Sequence, residues 1–196
     1  MKILKENFLL KFTKVSFEIL SKYVSEGDTV IDATVGNGYD TDSLLQLVGS
    51  TGKVYAFDIQ NEAIQNAKKL LNQNNRLQNN IEFINDSHSL IQQYVNESVQ
   101  AIVFNLGYLP GGDHNITTHA DTTLAAIQQG LELLKINGII TILIYQGHQQ
   151  GKIEKENIIE YAESLDSKKY HVMMFHLVNQ KSDPPCLMLI TKKTNK

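Results

Sequence analysis

One cysteine, Cys186, is all the chain of 196 residues has. It excludes an intrachain disulfide, fits a reducing compartment, and reads as a buried strand thiol instead of a nucleophile. No run approaches the ~18 apolar residues of a membrane span. The opening "MKILKENFLLKF" is Lys-rich but broken by Glu6 and other polar residues, with no small-residue cleavage site, so a signal peptide is not expected and a cytoplasmic location is. Arg76 is the only arginine, which nearly excludes bidentate arginine readout of guanine edges. A net charge of −3 announces no nucleic-acid partner. Lysines do gather at Lys2, Lys5, Lys11 and Lys14, at Lys152 and Lys155, and at Lys192, Lys193 and Lys196. Such clusters suit phosphate contacts or a solvated surface equally. There is no internal repeat, low-complexity tract or linker, so one domain is expected, with residues 1–26 as a helical cover and 27–196 as the core.

What is present is concentrated in "VIDATVGNGYDT", Val30 to Thr41. An apolar, β-branched run enters a Gly-x-Gly turn, and a helix-compatible stretch follows. Strand, glycine turn and helix form the approach of an α/β sheet to a nucleotide-like cofactor. Gly36 and Gly38 can take positive φ and admit a ligand close to the backbone. Asp58 follows at the end of a second strand, "KVYAFDIQ", where an acid reaches ribose hydroxyls in such folds. A dinucleotide fingerprint needs a third glycine, but Thr41 stands there, and Asp40 sits at the helix start. A carboxylate there repels a pyrophosphate and suits a cation. Asp32, Asp40 and Asp58 around one turn therefore favour S-adenosylmethionine, which carries no phosphate, over NAD. Asp40 as a plain helix cap is compatible with that reading.

Strand-like runs at Thr29–Thr34, Lys53–Asp58, Ile81–Asn85, Ala101–Asn105 and Ile139–Tyr145 alternate with helix-compatible stretches. Those stretches are Thr41–Val48, Glu62–Asn72, Ser89–Val95 and Thr122–Leu134. Ile153–Leu165 then precedes two more strands, His171–Val178 and Cys186–Thr191. Alternation predicts a parallel sheet with right-handed crossovers. Only "NQKSDPP" joins the last two strands, too short for a crossover, so they pair antiparallel. Seven strands, mostly parallel, with a terminal antiparallel hairpin describe the Rossmann-like α/β fold of class I methyltransferases. Asn7–Val24 is expected to be an extra helix covering the sheet.

Ligands of open α/β sheets sit beyond the carboxyl ends of the strands. The fourth strand ends there in "FNLGYLPGGDH", Phe104 to His114. Asn105, Leu106, Gly107, Tyr108, Leu109, Pro110, Gly111, Gly112, Asp113 and His114 make a loop of special backbone path around one aromatic. It is similar to the Asn-Pro-Pro-Tyr loop of methyltransferases that act on amino groups of bases. In that loop the Asn oxygen and following carbonyls accept from the target nitrogen, and the aromatic stacks on the base. Asn105, Leu106 and Tyr108 are the matching parts. Methyl transfer to nitrogen needs a neutral, positioned lone pair, and a low-dielectric pocket favours the neutral amine. Asp113, His114 or water could take the proton.

Other candidates have two readings each. In "NDSHS", Asp86, with Ser87 and His88 beside it, can bond the adenine amino group or cap a helix. Tyr145 and His148, after the fifth strand, border the expected substrate pocket. Asn179, Asp183 and Pro184 in the terminal hairpin loop form either pocket wall or a plain turn. His114, His119 and His148 lack zinc spacing, so no metal is expected.

Taken together and in order, "DATVGNGYDT", "VYAFDIQ", "FNLGYLPGGD", "YQGH" and "NQKSDPP" resemble the YtqB-like family across nearly the whole chain. These proteins were once labelled ribosomal RNA methylases and are tied to tRNA 5-aminomethyl-2-thiouridine methyltransferases of the MnmM type. The resemblance implies methylation of an exocyclic primary amine on the wobble uridine of a tRNA anticodon stem-loop. It places Asp32, Gly36, Gly38, Asp40, Thr41, Asp58 and Gln60 at the cofactor, and Asn105, Gly107, Tyr108 and Pro110 to Asp113 at the acceptor; Asn37 in the turn and Asn105 at the strand end are further candidates for cofactor contact. It also allows a homodimer. Tyr39 and His114 depart from the family pattern. Three rivals stand beside this reading: a ribosomal RNA or small-molecule amine substrate, a cofactor-binding module without catalysis, and an NAD-dependent dehydrogenase.

Overall fold

The computed structural model describes residues 11–107, 109, 111, 117–147, 149–180 and 182–194. Seven strands form one sheet: β1 (Thr29–Asp32), β2 (Lys53–Phe57), β3 (Ile81–Ile84), β4 (Val99–Leu106), β5 (Leu134–Ile144), β6 (Tyr170–Phe175) and β7 (Cys186–Lys192). Their order is β3-β2-β1-β4-β5-β7-β6. Pairings from β3 through β5 are parallel, and β7 lies antiparallel between β5 and β6. The antiparallel end follows from the short β6–β7 connection, which has no room for a crossover. Six helices, α1 (Phe12–Tyr23), α2 (Tyr39–Val48), α3 (Asn61–Gln73), α4 (Ile91–Tyr94), α5 (Ala120–Leu133) and α6 (Gln149–Ser164), cover the two faces.

Strand periodicity assigns side chains to the faces. Val30 of β1, Ala101 and Val103 of β4, and Ile139 and Leu143 of β5 pack with Phe12, Val15 and Leu20 of α1 and with Leu44, Leu45 and Val48 of α2. The alternate positions Ile31, Ile102, Phe104, Ile140 and Ile142 pack with Ile91, Ala126, Ile127, Ile158 and Ala162 from α4, α5 and α6. Being apolar on both faces, the central strands β1, β4 and β5 are buried over most of their length, as a parallel sheet requires. Cys186 is buried in β7, and burial pushes its thiol pKa up.

The elements follow the sequence expectation, with shifted ends. β5 starts at Leu134, five residues before the apolar run, directly after α5. Asn137 in the left-handed region (φ 61°) and a register shift opposite Val99–Ala101 absorb the irregular "INGI" stretch. The covering helix begins at Phe12, and residues 7–10 of its expected span lie outside the described residues. Helix α2 starts two residues early, at Tyr39, because Gly38 is its N-cap with φ 86°.

Gly38 serves packing as well as the turn. A Cβ there would stand 2.7 Å from the Cα and Cβ of Ala67 in α3. Gly36 (φ 52°) is roomier, with Leu109 Cδ1 3.8 Å from its Cβ position. Gly38→Ala is therefore expected to lose more than the ~1–2 kcal/mol of left-handed strain that Gly36→Ala loses. Denaturant unfolding of the two variants checks the ranking, and equal losses would contradict it.

Candidate active site

The strand order reverses between β1 and β4, which lie side by side with Asp32 opposite Val103. A crevice opens at such a reversal, beyond the carboxyl ends of the strands. Asp32 ends β1 and shares the α2 face with Val30. It is fully buried, and its Oδ2 accepts from the Thr41 hydroxyl at 2.5 Å while its Oδ1 accepts from Thr34 N at 3.1 Å. Asp58 follows β2. Its two oxygens accept from Gly36 N and Gln60 N, each at 2.9 Å. Thus the β2 acid ties the glycine turn to Gln60, the N-cap residue of α3.

Asp40 lies in the first turn of α2 but does not cap it, since Gly38 holds that place without a side-chain bond. Its Oδ2 instead accepts from Nδ2 of Asn105, at 3.0 Å. Asn105 is on β4 at the same face parity as Ala101 and Val103, which is the α2 side. Its backbone N–H donates to Thr34 Oγ1 at 2.7 Å. With Nδ2 committed to Asp40, the amide presents Oδ1 as its remaining acceptor.

Among the described residues, no Lys or Arg forms an ion pair with any of the three carboxylates. Burial, then Asp40, push the Asp32 carboxyl up to about 7, against the lowering bonds from Thr41 and Thr34. Burial raises Asp40, with the Asn105 bond opposing. Burial raises Asp58 as well, against its two backbone donors. An unbalanced acidic pocket fits a cationic ligand that brings no phosphate, and S-adenosylmethionine carries both a sulfonium and an ammonium.

Around this centre, Asn37 Oδ1 accepts from Asn66 Nδ2 at 3.3 Å. Leu109, buried, is the described part of the loop after β4 that reaches Gly36. Leu106 is buried in the core on the α5 face. Gly107 (φ 142°) has Tyr145 Cβ 3.9 Å from where its own Cβ would stand, and Gly111 (φ 86°) has open space there. Burial, then Asp40, raise the Tyr145 phenol. Tyr108, Pro110, Gly112, Asp113, His114 and His148 lie outside the described residues.

The "NDSHS" stretch divides its work. Asp86 accepts from Ser87 N at 2.7 Å and from the Tyr94 hydroxyl at 2.6 Å, and the Tyr94 bond leads in lowering its pKa. The cap is Ser87, whose Oγ accepts from Ser89 N ahead of a single 3-10 turn. The buried His88 ring donates from Nδ1 to Ala33 O at 3.1 Å, and burial lowers its pKa, so it is a neutral prop under the β1 exit. In the terminal hairpin, Asp183 pairs with Lys152 of α6 at 2.8 Å, and Pro184 O accepts from Gln146 at 2.6 Å. Both bonds tie that loop to the β5–α6 corner.

Sequence reasoning missed Thr34, Thr118 and Glu154. Thr118 Oγ1 accepts from Gly107 N at 3.0 Å and donates to Glu154 Oε2 at 2.8 Å. The available signal was Glu154 itself, a carboxylate on the stripe of α6 that otherwise buries Gly151, Ile158 and Ala162. Among the described residues no group of three or more His, Cys, Asp or Glu could hold a metal ion, and no helix is long and apolar enough to cross a membrane.

Fold, glycine turn and acidic pocket define a class I methyltransferase that uses S-adenosylmethionine, and relatives agree. A Streptococcus mutans protein solved in complex with SAH is 38% identical, with a TM-score of 0.83 over 92% of this chain and 97% of that one. The family described as "Putative rRNA methylase" matches residues 54–191, and the chain belongs to it. A Clostridium thermocellum structure described in the same words is 43% identical, with a TM-score of 0.90 over 92% of this chain and 96% of its own. The Arabidopsis thaliana "tRNA (mnm(5)s(2)U34)-methyltransferase, chloroplastic" is 36% identical over 194 residues, covering 94% of this chain and 70% of its own.

The acidic pocket sets a pH dependence. The Asp32 pKa is raised on folding, so its contribution to stability is full below the ordinary value of 3.8 and is lost as pH rises through about 7. A cationic cofactor favours the carboxylate. Affinity for S-adenosylmethionine should therefore rise up to about tenfold from roughly pH 6 to roughly pH 8, with proton release. Calorimetry in buffers of different ionisation enthalpy measures both, and a flat profile in Asp32→Asn identifies the group. Flat affinity in the parent protein would contradict the assignment.

Proposed function

We propose that this protein methylates the exocyclic amine of 5-aminomethyl-2-thiouridine at the tRNA wobble position, giving 5-methylaminomethyl-2-thiouridine. The observation that carries the reading is the Asn105 amide, held by Asp40 so that Oδ1 is left to accept. The name of the Arabidopsis relative supports the substrate. The chain acts as one catalytic unit on an anticodon stem-loop, with α1 covering one face of its sheet.

When bound, S-adenosylmethionine supplies an electrophilic methyl group on a sulfonium. Asp58, Gly36, Gly38 and Gln60 would hold its adenosine side, and Asp32, Asp40 and Thr41 its charged side. Asn105 Oδ1 accepts a hydrogen from the acceptor amine and so turns the lone pair toward the methyl group. A free alkylammonium has a pKa of about 10.4, like lysine, so the amine must arrive neutral or lose a proton in the pocket. Tyr145, 39% exposed, and Gly107 stand beside this position without adding a charge that would hold the amine protonated. Tyr108 is assigned the stacking role on the base, and Asp113, His114 or water takes the proton.

Two variants separate holding the donor from using it. Asp58→Ala should weaken S-adenosylmethionine binding about tenfold or more, since charge-assisted bonds are worth roughly 1.5–3 kcal/mol. Asn105→Ala should cut the single-turnover methylation rate by about 100-fold while affinity for the cofactor stays nearly unchanged. Calorimetry and single-turnover assays on hypomodified tRNA read the two effects, and parent-like rates in Asn105→Ala would remove the acceptor assignment.

The family's description favours a second reading, ribosomal RNA. Mass spectrometry of tRNA nucleosides from a strain lacking the gene decides between them. Accumulated 5-aminomethyl-2-thiouridine and lost 5-methylaminomethyl-2-thiouridine are expected, and unchanged tRNA would leave the ribosomal substrate.

A further inference from the structure

We propose that Glu154 is a positioning residue for methyl transfer, acting through Thr118 on the root of the loop after β4. The proposal rests on reading that loop as the acceptor site. Glu154 is 2% exposed, on the inward stripe of α6. An apolar side chain there would extend the core at no desolvation cost, so a buried carboxylate calls for a reason beyond stability.

Its contacts supply one. Oε1 accepts from the Thr123 hydroxyl of α5 at 2.6 Å, and Oε2 accepts from the Thr118 hydroxyl at 2.8 Å. Thr118 Oγ1 in turn accepts from Gly107 N at 3.0 Å, and Thr118 N donates to Gly107 O at 3.0 Å. A hydroxyl has one hydrogen. Because the carboxylate can only accept, it draws that hydrogen to itself and leaves the hydroxyl lone pairs for Gly107. The polarity of the relay is thus set from α6. The paired bonds hold Gly107 and Thr118 directly against each other. Gly107 sits there at φ 142°, two residues past Asn105 and against Tyr145. The relay therefore fixes the backbone that leads out of the proposed acceptor position. A displacement of about 1 Å at such a position can cost roughly 100-fold in rate without touching a ligand.

The test compares Thr118→Val, Thr118→Ser, Glu154→Gln and, as a packing control one turn along α6, Ile158→Val. Each is assayed for single-turnover methylation of hypomodified tRNA, S-adenosylmethionine affinity by calorimetry, and melting temperature. Thr118→Val should slow methylation more than about tenfold with cofactor affinity within about twofold, and Thr118→Ser should restore most of the rate. Glu154→Gln should fall between, because its carbonyl oxygen accepts while its amide NH2 now faces the second threonine. Ile158→Val should lower the melting temperature and keep the rate. Parent-like rates in Thr118→Val and Glu154→Gln, with Asn105→Ala slow, would overturn this proposal alone. Parent-like rates in all three would overturn the acceptor-site reading beneath it. Rate losses that track melting temperature across the set, the packing control included, would reduce Glu154 to a structural role.

Discussion

The chemistry of this molecule depends on β1 and β4 lying side by side at the point where the strand order reverses. That adjacency sets Asp32 and Asn105 on one face of the sheet, above the same helix, α2. Helix α2 answers both: Thr41 donates to Asp32, and Asp40 accepts from Asn105. One turn of helix therefore couples the end of β1 to the end of β4. Thr34 completes the join by accepting the Asn105 backbone N–H. A shift in the β1–β4 register would separate these groups together, because a one-residue slip turns every side chain to the other face.

The second organising feature is charge left unbalanced. Elsewhere several acids are paired: Asp42 with Arg76, Asp28 with Lys135, Asp183 with Lys152. Among the described residues the donors to Asp32, Asp40 and Asp58 around the glycine turn are neutral, and burial raises all three carboxyl pKa values. Folding leaves this region at a local cost, which a bound cationic group would offset. Strained or unbalanced groups concentrate at functional sites for this reason.

The rim of the crevice is tied down by contacts between distant segments. Lys155 donates to Gln146, Gln146 donates to Pro184 O, and Lys152 pairs with Asp183. The β5–α6 corner and the terminal hairpin are joined by them, beside the loop root held by Glu154 and Thr118. These bonds stabilise modestly where exposed. Their main effect is geometric, since they limit how far the segments bordering the crevice can move independently.

Much of the fold was legible along the chain. Apolar runs bounded by turn residues marked the seven strands, and a seven-residue connection dictated the antiparallel end. The glycine turn and the two acids at strand ends announced the cofactor, because backbone freedom and charge are properties of single residues at short spacing. The roles of Asp40, His88 and Glu154 were not legible. Asp40 reads as a cofactor-facing acid or a cap, and its bond to Asn105 emerges only when β4 lies beside β1; the place of His88 under Ala33 O likewise emerges only in the folded sheet. Glu154 reads as one more surface acid until α6 turns it inward on Thr118 and Thr123. Secondary structure follows from local periodicity, which the sequence carries by itself. Which polar groups satisfy one another across 65 residues, as Asp40 and Asn105 do, is decided only when the sheet assembles and burial makes each unpaired donor or acceptor costly.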